Sequence, residues 1–435
     1  MAGLKRDFLV KVVIAFLFLS INACDRQTEQ TQTGGAKTLR VWAHAGQEAE
    51  RRVLQAQVTR YNNQSPESKL ELVFIPERDY NAQVQAAALA GDLPDVLEFD
   101  GPYLYNYIWQ NQLRSLDDLL PASLLSDVLP SIIDQGTHGG HLYGIGAFDS
   151  GLGLYVRKSA LKKIHARLPE SAADAWSVKE FEDILKRLAQ QDEDKTVLDL
   201  KLNYRGEWFT YGFSPVLQSA GADLIDRKDY QTSNNIINSP AAVSALQHVQ
   251  NWITQGYVDP NLDDAAFVSG RVAISWVGHW EYARYHATFE DDLMVVPLPD
   301  FGQGSRTGQG SWNWGITLKS QHPEAAAQFI TFLLQTSEVL AISNANAAVP
   351  GTKSAVQLSP LYSEHGMLRL FAEQLLEGVA VPRPKTPAYP VITTEFQNAF
   401  QQIRNGGNVK EALDVAARNI DQDIRDNQGY PFIDQ

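Results

Sequence analysis

Strands alternating with helices near the start of this chain constrain its fold more than any other feature. Thr38-Leu39-Arg40-Val41-Trp42 reads as a strand, as do Leu70 to Ile75 (LELVFI) and Asp95 to Phe99. Between them lie a helical stretch near Glu48 to Asn62 and a second from Tyr80 to Ala90, ended by Gly91-Asp92-Leu93-Pro94. Spacing of this kind predicts βαβ units and a parallel sheet, hence an α/β protein. Later helices carry explicit start signals. Ser177-Val178-Lys179-Glu180 is a capping box, with Trp176 and Phe181 placed as a hydrophobic staple. Ser239-Pro240 puts an N-cap before an N1 proline, and Val243, Leu246, Val249 and Ile253 then share one face up to Gly256. Further amphipathic runs span 323–334 and 409–424, and no internal repeat is visible.

The first 36 residues read differently. Lys5, Arg6 and Lys11 form a basic region, Val12 to Ile21 is apolar, and Asn22-Ala23 precede Cys24, the only cysteine in the chain. A spanning helix needs roughly 20 apolar residues, so this run is too short to cross a membrane and stay there. It resembles a bacterial lipoprotein signal, 1–23, in which the cysteine is diacylglycerol-modified and its freed amine acylated, as with palmitate. Asp25 resembles the signal for retention at the inner membrane, which places the protein on its periplasmic face, or on the outer face of the cell membrane in a Gram-positive cell. Residues 24–36 are polar, Thr/Gln/Gly-rich and without an apolar period, as a flexible tether is.

Removing 23 residues from 435 leaves 412, and removing the leader's net +2 takes the formal charge from −14 to −16. That length exceeds the roughly 250–300 residues at which single cores stop growing, so two lobes are expected. A strongly acidic surface argues against nucleic acid, whose phosphates need Lys and Arg. With one thiol, no disulfide forms within the chain.

No catalytic signature stands out. The chain lacks a G-x-S-x-G elbow, a phosphate loop and an H-E-x-x-H zinc helix. His138-Gly-Gly-His141 offers two imidazoles, but a metal needs more ligands and none is near in sequence. What recurs is an aromatic beside a polar or charged residue where strands give way to helices. Examples are Trp42 with Gln47 and Glu48, Phe99-Asp100-Gly101-Pro102-Tyr103, Phe148-Asp149-Ser150, Glu207-Trp208-Phe209-Thr210-Tyr211, Trp276 to Trp280, and Trp312-Asn313-Trp314. In open α/β sheets ligands sit beyond the carboxyl ends of the strands. Aromatic faces beside planar acceptors suit a sugar, which stacks through its C–H face and hydrogen-bonds through its hydroxyls.

At these residues the chain resembles the extracytoplasmic solute-binding proteins of carbohydrate ABC importers, the maltose-binding-protein-like family 1. The resemblance rests on Pro94-Asp95-Val96 leading to Asp100, on His141 to Gly144 followed by Asp149 and Leu154 to Lys158, on Gly270 to Trp280 with its Gly278-His279-Trp280, on Asn203 to Asp223, and on Thr386 to Pro390. Some relatives carry arginine directly after the first-lobe acid, where this chain has Gly101, and an Asp-Lys pair in place of Gln47-Glu48.

The resemblance implies a two-lobe periplasmic-binding-protein type II fold with discontinuous lobes and a hinge. The first lobe is expected to comprise 37–146 and 300–343, the second 147–299 and 344–435. Exchanges are expected near 144–148, 297–301 and 344–349. It further implies a lipid-anchored, monomeric, non-enzymatic receptor without cofactor or metal. Such a receptor captures a disaccharide or oligosaccharide and delivers it to a membrane-embedded permease. Expected ligand contacts are Gln47, Glu48, Asp100 and Asp149 as hydroxyl partners, Trp208, Trp280 and Trp312 as stacking faces, and Arg383 as a donor. Two other classes fit the same residues: a lipid-anchored glycoside hydrolase, which also pairs Trp with carboxylates, and a polyamine or other cation receptor.

Overall fold

A computed structural model describes residues 37–363 and 365–432. The leader, Cys24, Asp25 and the tether lie outside the described residues. Strands β1 (Lys37–His44), β2 (Ser68–Ile75) and β3 (Val96–Asp100) form a parallel set in which β1 is central, joined by helices α1 (Glu48–Gln64) and α2 (Glu77–Ala90). The strand Trp312–Ile316 adds antiparallel to β3, giving the order 312–316, β3, β1, β2. Every residue of β3 is buried, as a strand covered on both faces must be, whereas edge strand β2 alternates buried and exposed positions along Ser68–Glu71. The βαβ reading therefore holds, with α2 starting at Glu77, three residues before the expected Tyr80.

A second four-stranded sheet has the order 293–296, 152–157, 274–278, 198–199 and is mixed in direction. Its core gathers Trp176, Phe181, Trp252, Phe209 and Phe400, all fully or almost fully buried. Only the serine half of the expected capping box forms here, because the Glu180 carboxylate turns to Arg167. Ser177 Oγ accepts the Glu180 amide at 3.2 Å, and the Trp176 and Phe181 rings stack with centroids 6.1 Å apart. Ser239 likewise caps the helix Pro240–Thr254. The first sheet has separate cores, one around Val41, Leu54 and Phe329 and one around Tyr80, Phe99 and Tyr107. Two sheets with separate cores satisfy the size argument for two lobes.

Two short ladders lie between the sheets. Phe148–Asp149 pairs antiparallel with Val349–Pro350, near the expected exchanges at 144–148 and 344–349. Thr307–Gln309 pairs in parallel with Ala380–Pro382. Asp300 exchanges backbone hydrogen bonds with Trp176 and Val178, and the Phe301 ring sits 6.1 Å from Trp252, so 300–304 stays with the second core that buries it. Residues 352–358 also depart from the expected division. Thr352 bridges to Val128 and Ser354 bonds Asp127, which fixes this segment on the first-sheet side.

Candidate functional site

The carboxyl ends of β1, β2 and β3 open onto a cleft of about 840 Å³. Its first wall is a charge network. His44, last in β1, donates from Nδ1 to Glu98 at 2.8 Å, and its Nε2 lies 3.6 Å from Glu50. Burial opposes a charge on His44, but Glu98 and Glu50 outweigh it and raise its pKa well above the usual imidazole value. Trp312 stacks on this imidazole at 3.9 Å with the planes 3° apart, and remains partly open to the cleft. Asn346 Nδ2 donates to Glu50 at 3.0 Å, and the Asn346 carbonyl accepts from His279 Nδ1 at 2.8 Å. His279 is the converse of His44: burial outweighs the Asn346 carbonyl and the pull of Glu50 and lowers its pKa to about 4.

The second wall is aromatic. Trp208, at the start of the helix Trp208–Ser219, meets Trp280 edge to face at 6.1 Å and Tyr204 at 5.3 Å. Indole Nε1 of Trp208 donates to the Leu200 carbonyl at 3.2 Å, and that of Trp280 to the Tyr204 hydroxyl at 3.3 Å. A Cβ at Gly278 would stand 2.1 Å from the Trp280 ring, so glycine is what lets the indole fold back over the strand end. Behind this wall Lys201 is fully buried, with Nζ 2.8 Å from Asp264 and 3.3 Å from Asp199.

Arg383 joins the walls at the floor. It is 6% exposed and forks onto Asp100 with Nη1 at 2.7 Å and Nη2 at 2.5 Å, while Nη1 also reaches Glu207 at 3.0 Å. Glu207 accepts from the Tyr389 and Thr393 hydroxyls too. Its burial nonetheless holds its pKa above the usual carboxylate value, against the pull of Arg383. Gly310, at φ +140°, lets the guanidinium lie close, since a Cβ there would be 2.9 Å from Nη2. Arg383 Nε and Ser311 Oγ are buried at this floor without a partner among the described residues. Buried polar groups are ordinarily satisfied, which makes these two atoms exceptions at the floor.

Of the sequence-selected residues, Gln47, Asp100, Trp208, Trp280, Trp312 and Arg383 line the cleft together. Glu48 does not. It lies on the outer side of α1, exposed and ion-paired with Arg52, because the helix turns it a full position away from the strand end. Asp149 does not line the cleft either. It is fully buried in the ladder between the sheets, accepting from Ser150 at 2.8 Å and Gln135 at 3.1 Å, and burial raises its pKa. His138 and His141 are paired across a two-glycine hairpin turn, with His141 3 residues beyond His138 and bonded to exposed Asp117. Sequence reasoning missed His44, Glu50, Glu77, Tyr204, Glu207 and His279. Glu50 had a legible signal, three residues after the N-cap Gln47, whose amide its carboxylate faces at 3.4 Å. Tyr204 and Glu207 lay inside or beside a stretch already singled out, but nothing local marks which of its residues face inward.

Fold and cleft together define a two-lobe α/β protein of the periplasmic-binding-protein type II fold class. Solved structures agree over nearly the whole chain. The GacH receptor of Streptomyces glaucescens, solved unliganded and with acarbose, matches at TM-score 0.75 and 23% identity, covering 90% of this chain and 98% of that one. The maltodextrin-binding domain MalE of Bdellovibrio bacteriovorus, bound to maltotriose, matches at 0.74 and 18%, covering 89% and 100%. An uncharacterised lipoprotein of Streptomyces antibioticus is 22% identical over 375 residues, 82% of this chain and 79% of its own length. A probable ABC transporter-binding protein of Deinococcus radiodurans is 24% identical over 300 residues, 62% and 66% of the two chains. The chain belongs to the bacterial extracellular solute-binding protein family, whose model matches residues 56–368.

Proposed function

We propose that this protein is the substrate-binding lipoprotein of an ABC importer, capturing a neutral disaccharide or oligosaccharide between its lobes without chemical change. The observation that carries this reading is the pairing of one aromatic wall, Tyr204, Trp208 and Trp280, with one hydrogen-bonding wall across a cleft of ligand size. Charge supports a neutral ligand. Asp100 and Glu207 share Arg383, Glu50 and Glu98 share His44, and Asp264 is held by Lys201 and Arg284. Most of the acids at the cleft are thus paired with a cation, which disfavours a polyamine receptor. A glycoside hydrolase needs one carboxyl to protonate and another to attack or activate water. Asp100 and Glu207 bound to one guanidinium are poorly placed for either role.

The lobes on this reading are 37–147 with 310–346 and 351–358, and 151–305 with 361–435, the ladders between them serving as hinge. Ligand contacting both lobes favours the closed form, and only that differential affinity shifts the population. Saturating a purified sample with a sugar identified by thermal shift, then measuring solution scattering, tests the proposal. The radius of gyration should fall. Confirmed binding with an unchanged radius contradicts the hinged-receptor mechanism, and slow release of cleaved product contradicts the non-enzymatic role. Anchoring at Cys24 has its own test. Cys24→Ser should accumulate as an unacylated precursor, and Asp25 should keep the native protein in the inner-membrane fraction.

A further inference from the structure

We infer that Glu77 contacts the ligand directly and sets specificity, accepting hydrogen bonds from saccharide hydroxyls. This rests on the saccharide reading above. Five acids line the cleft, Glu50, Glu77, Asp100, Glu207 and Asp264. Asp100 and Glu207 are committed to Arg383, Glu50 to Asn346 and His44, and Asp264 to Lys201. Glu77 alone of the five has no hydrogen bond or ion pair within the described protein. It opens α2 directly after β2, at the strand-end position where a ligand of this fold sits.

Its surroundings favour that role. Glu77 is exposed at the cleft, within reach of an entering ligand, and partial desolvation there still raises its pKa above the usual carboxylate value. The charged groups acting on it are His44, which favours ionisation, and Glu50, Asp100 and Glu98, which oppose it. A carboxylate offers about four lone-pair positions, enough for two adjacent hydroxyls of one ring. The committed acids hold the cleft in shape, and Glu77 is left to read what enters it.

Calorimetry on the full chain with a carbohydrate panel tests this, comparing Glu77→Gln and Glu77→Ala with the exposed control Glu71→Gln. Both Glu77 variants should bind the best wild-type sugar at least about tenfold more weakly, the usual range for a hydrogen bond to a charged group. Their melting temperatures should match wild type, because Glu77 has no internal partner to lose, and the control should bind normally. Wild-type affinity should be flat from low to high salt, as for a neutral ligand. Undiminished binding by both variants overturns the role of Glu77 and leaves the saccharide reading standing. Affinity that falls steeply with salt assigns Glu77 to a cationic ligand and overturns the hydroxyl assignment. Wild-type protein that binds no member of the panel overturns both.

Discussion

The two walls of the cleft solve different halves of one recognition problem. The first wall is rigid and directional: His44 is clamped between Glu98 and Glu50, and Trp312 lies flat on its ring. The second offers area, with Trp208, Trp280 and Tyr204 set edge to face and their polar atoms turned inward to Leu200, Tyr204 and Glu281. A hydrogen-bonding wall selects and a stacking wall holds. The contrast extends to their histidines, since Glu98 and Glu50 raise the pKa of His44 while burial lowers that of His279.

Breaking the floor that joins the walls should have the largest effect. Arg383→Met strands Asp100 and Glu207 as buried, unpaired acids, and loss of one partner from such a site costs about 3–5 kcal/mol. Denaturant titration reads this directly, and adding Asp100→Asn should return part of the loss.

Acidity should then separate the histidines. His279 has a folded pKa of about 4, below its unfolded value. Its contribution is therefore complete above about pH 6.5 and is lost as pH falls toward 4, by up to about 3 kcal/mol. His44 runs the other way: its raised folded pKa gives stability that is complete below its unfolded value and is lost as pH rises through the folded one. Stability measured against pH should flatten on the acid limb in His279→Gln relative to wild type. An unchanged acid limb would show that His279 is not held neutral by burial.

Removing one stacking face comes next. Trp280→Ala should weaken ligand binding by about 2 kcal/mol, or roughly 30-fold, with the fold retained. Normal affinity with a much lower melting temperature would make Trp280 a core residue of the second wall. Smallest of all, Glu48→Gln should leave binding unchanged in calorimetry, because its partner is Arg52 on the outer face of α1.

Local chemistry made most of the fold legible. The period of 38–100, the Ser177 cap and the Ser239-Pro240 start each act within a few residues, so sequence alone specifies them. That 300–304 stays with the second core was not legible, because what holds Phe301 is Trp252, a contact that no local pattern announces. The site divides the same way. Aromatic residues near strand ends could be marked, and Trp208, Trp280 and Trp312 do meet at one cleft. Which acid faces inward depends on two positions along a helix, as Glu48 and Glu50 show. Asp149 failed for a different reason: a strand end at the boundary between sheets can be sealed by Gln135 and Gln309 instead of opening to ligand.

The Arg383 fork has a consequence for biogenesis. Asp100 and its guanidinium partner are separated by 283 positions, and Tyr389 and Thr393, which steady Glu207, come later still. A chain synthesised and exported from its N-terminus presents both walls well before the residues that tie them together. The cleft is completed only when the last tenth or so of the polypeptide has emerged, so an unfinished molecule lacks the floor that joins its walls.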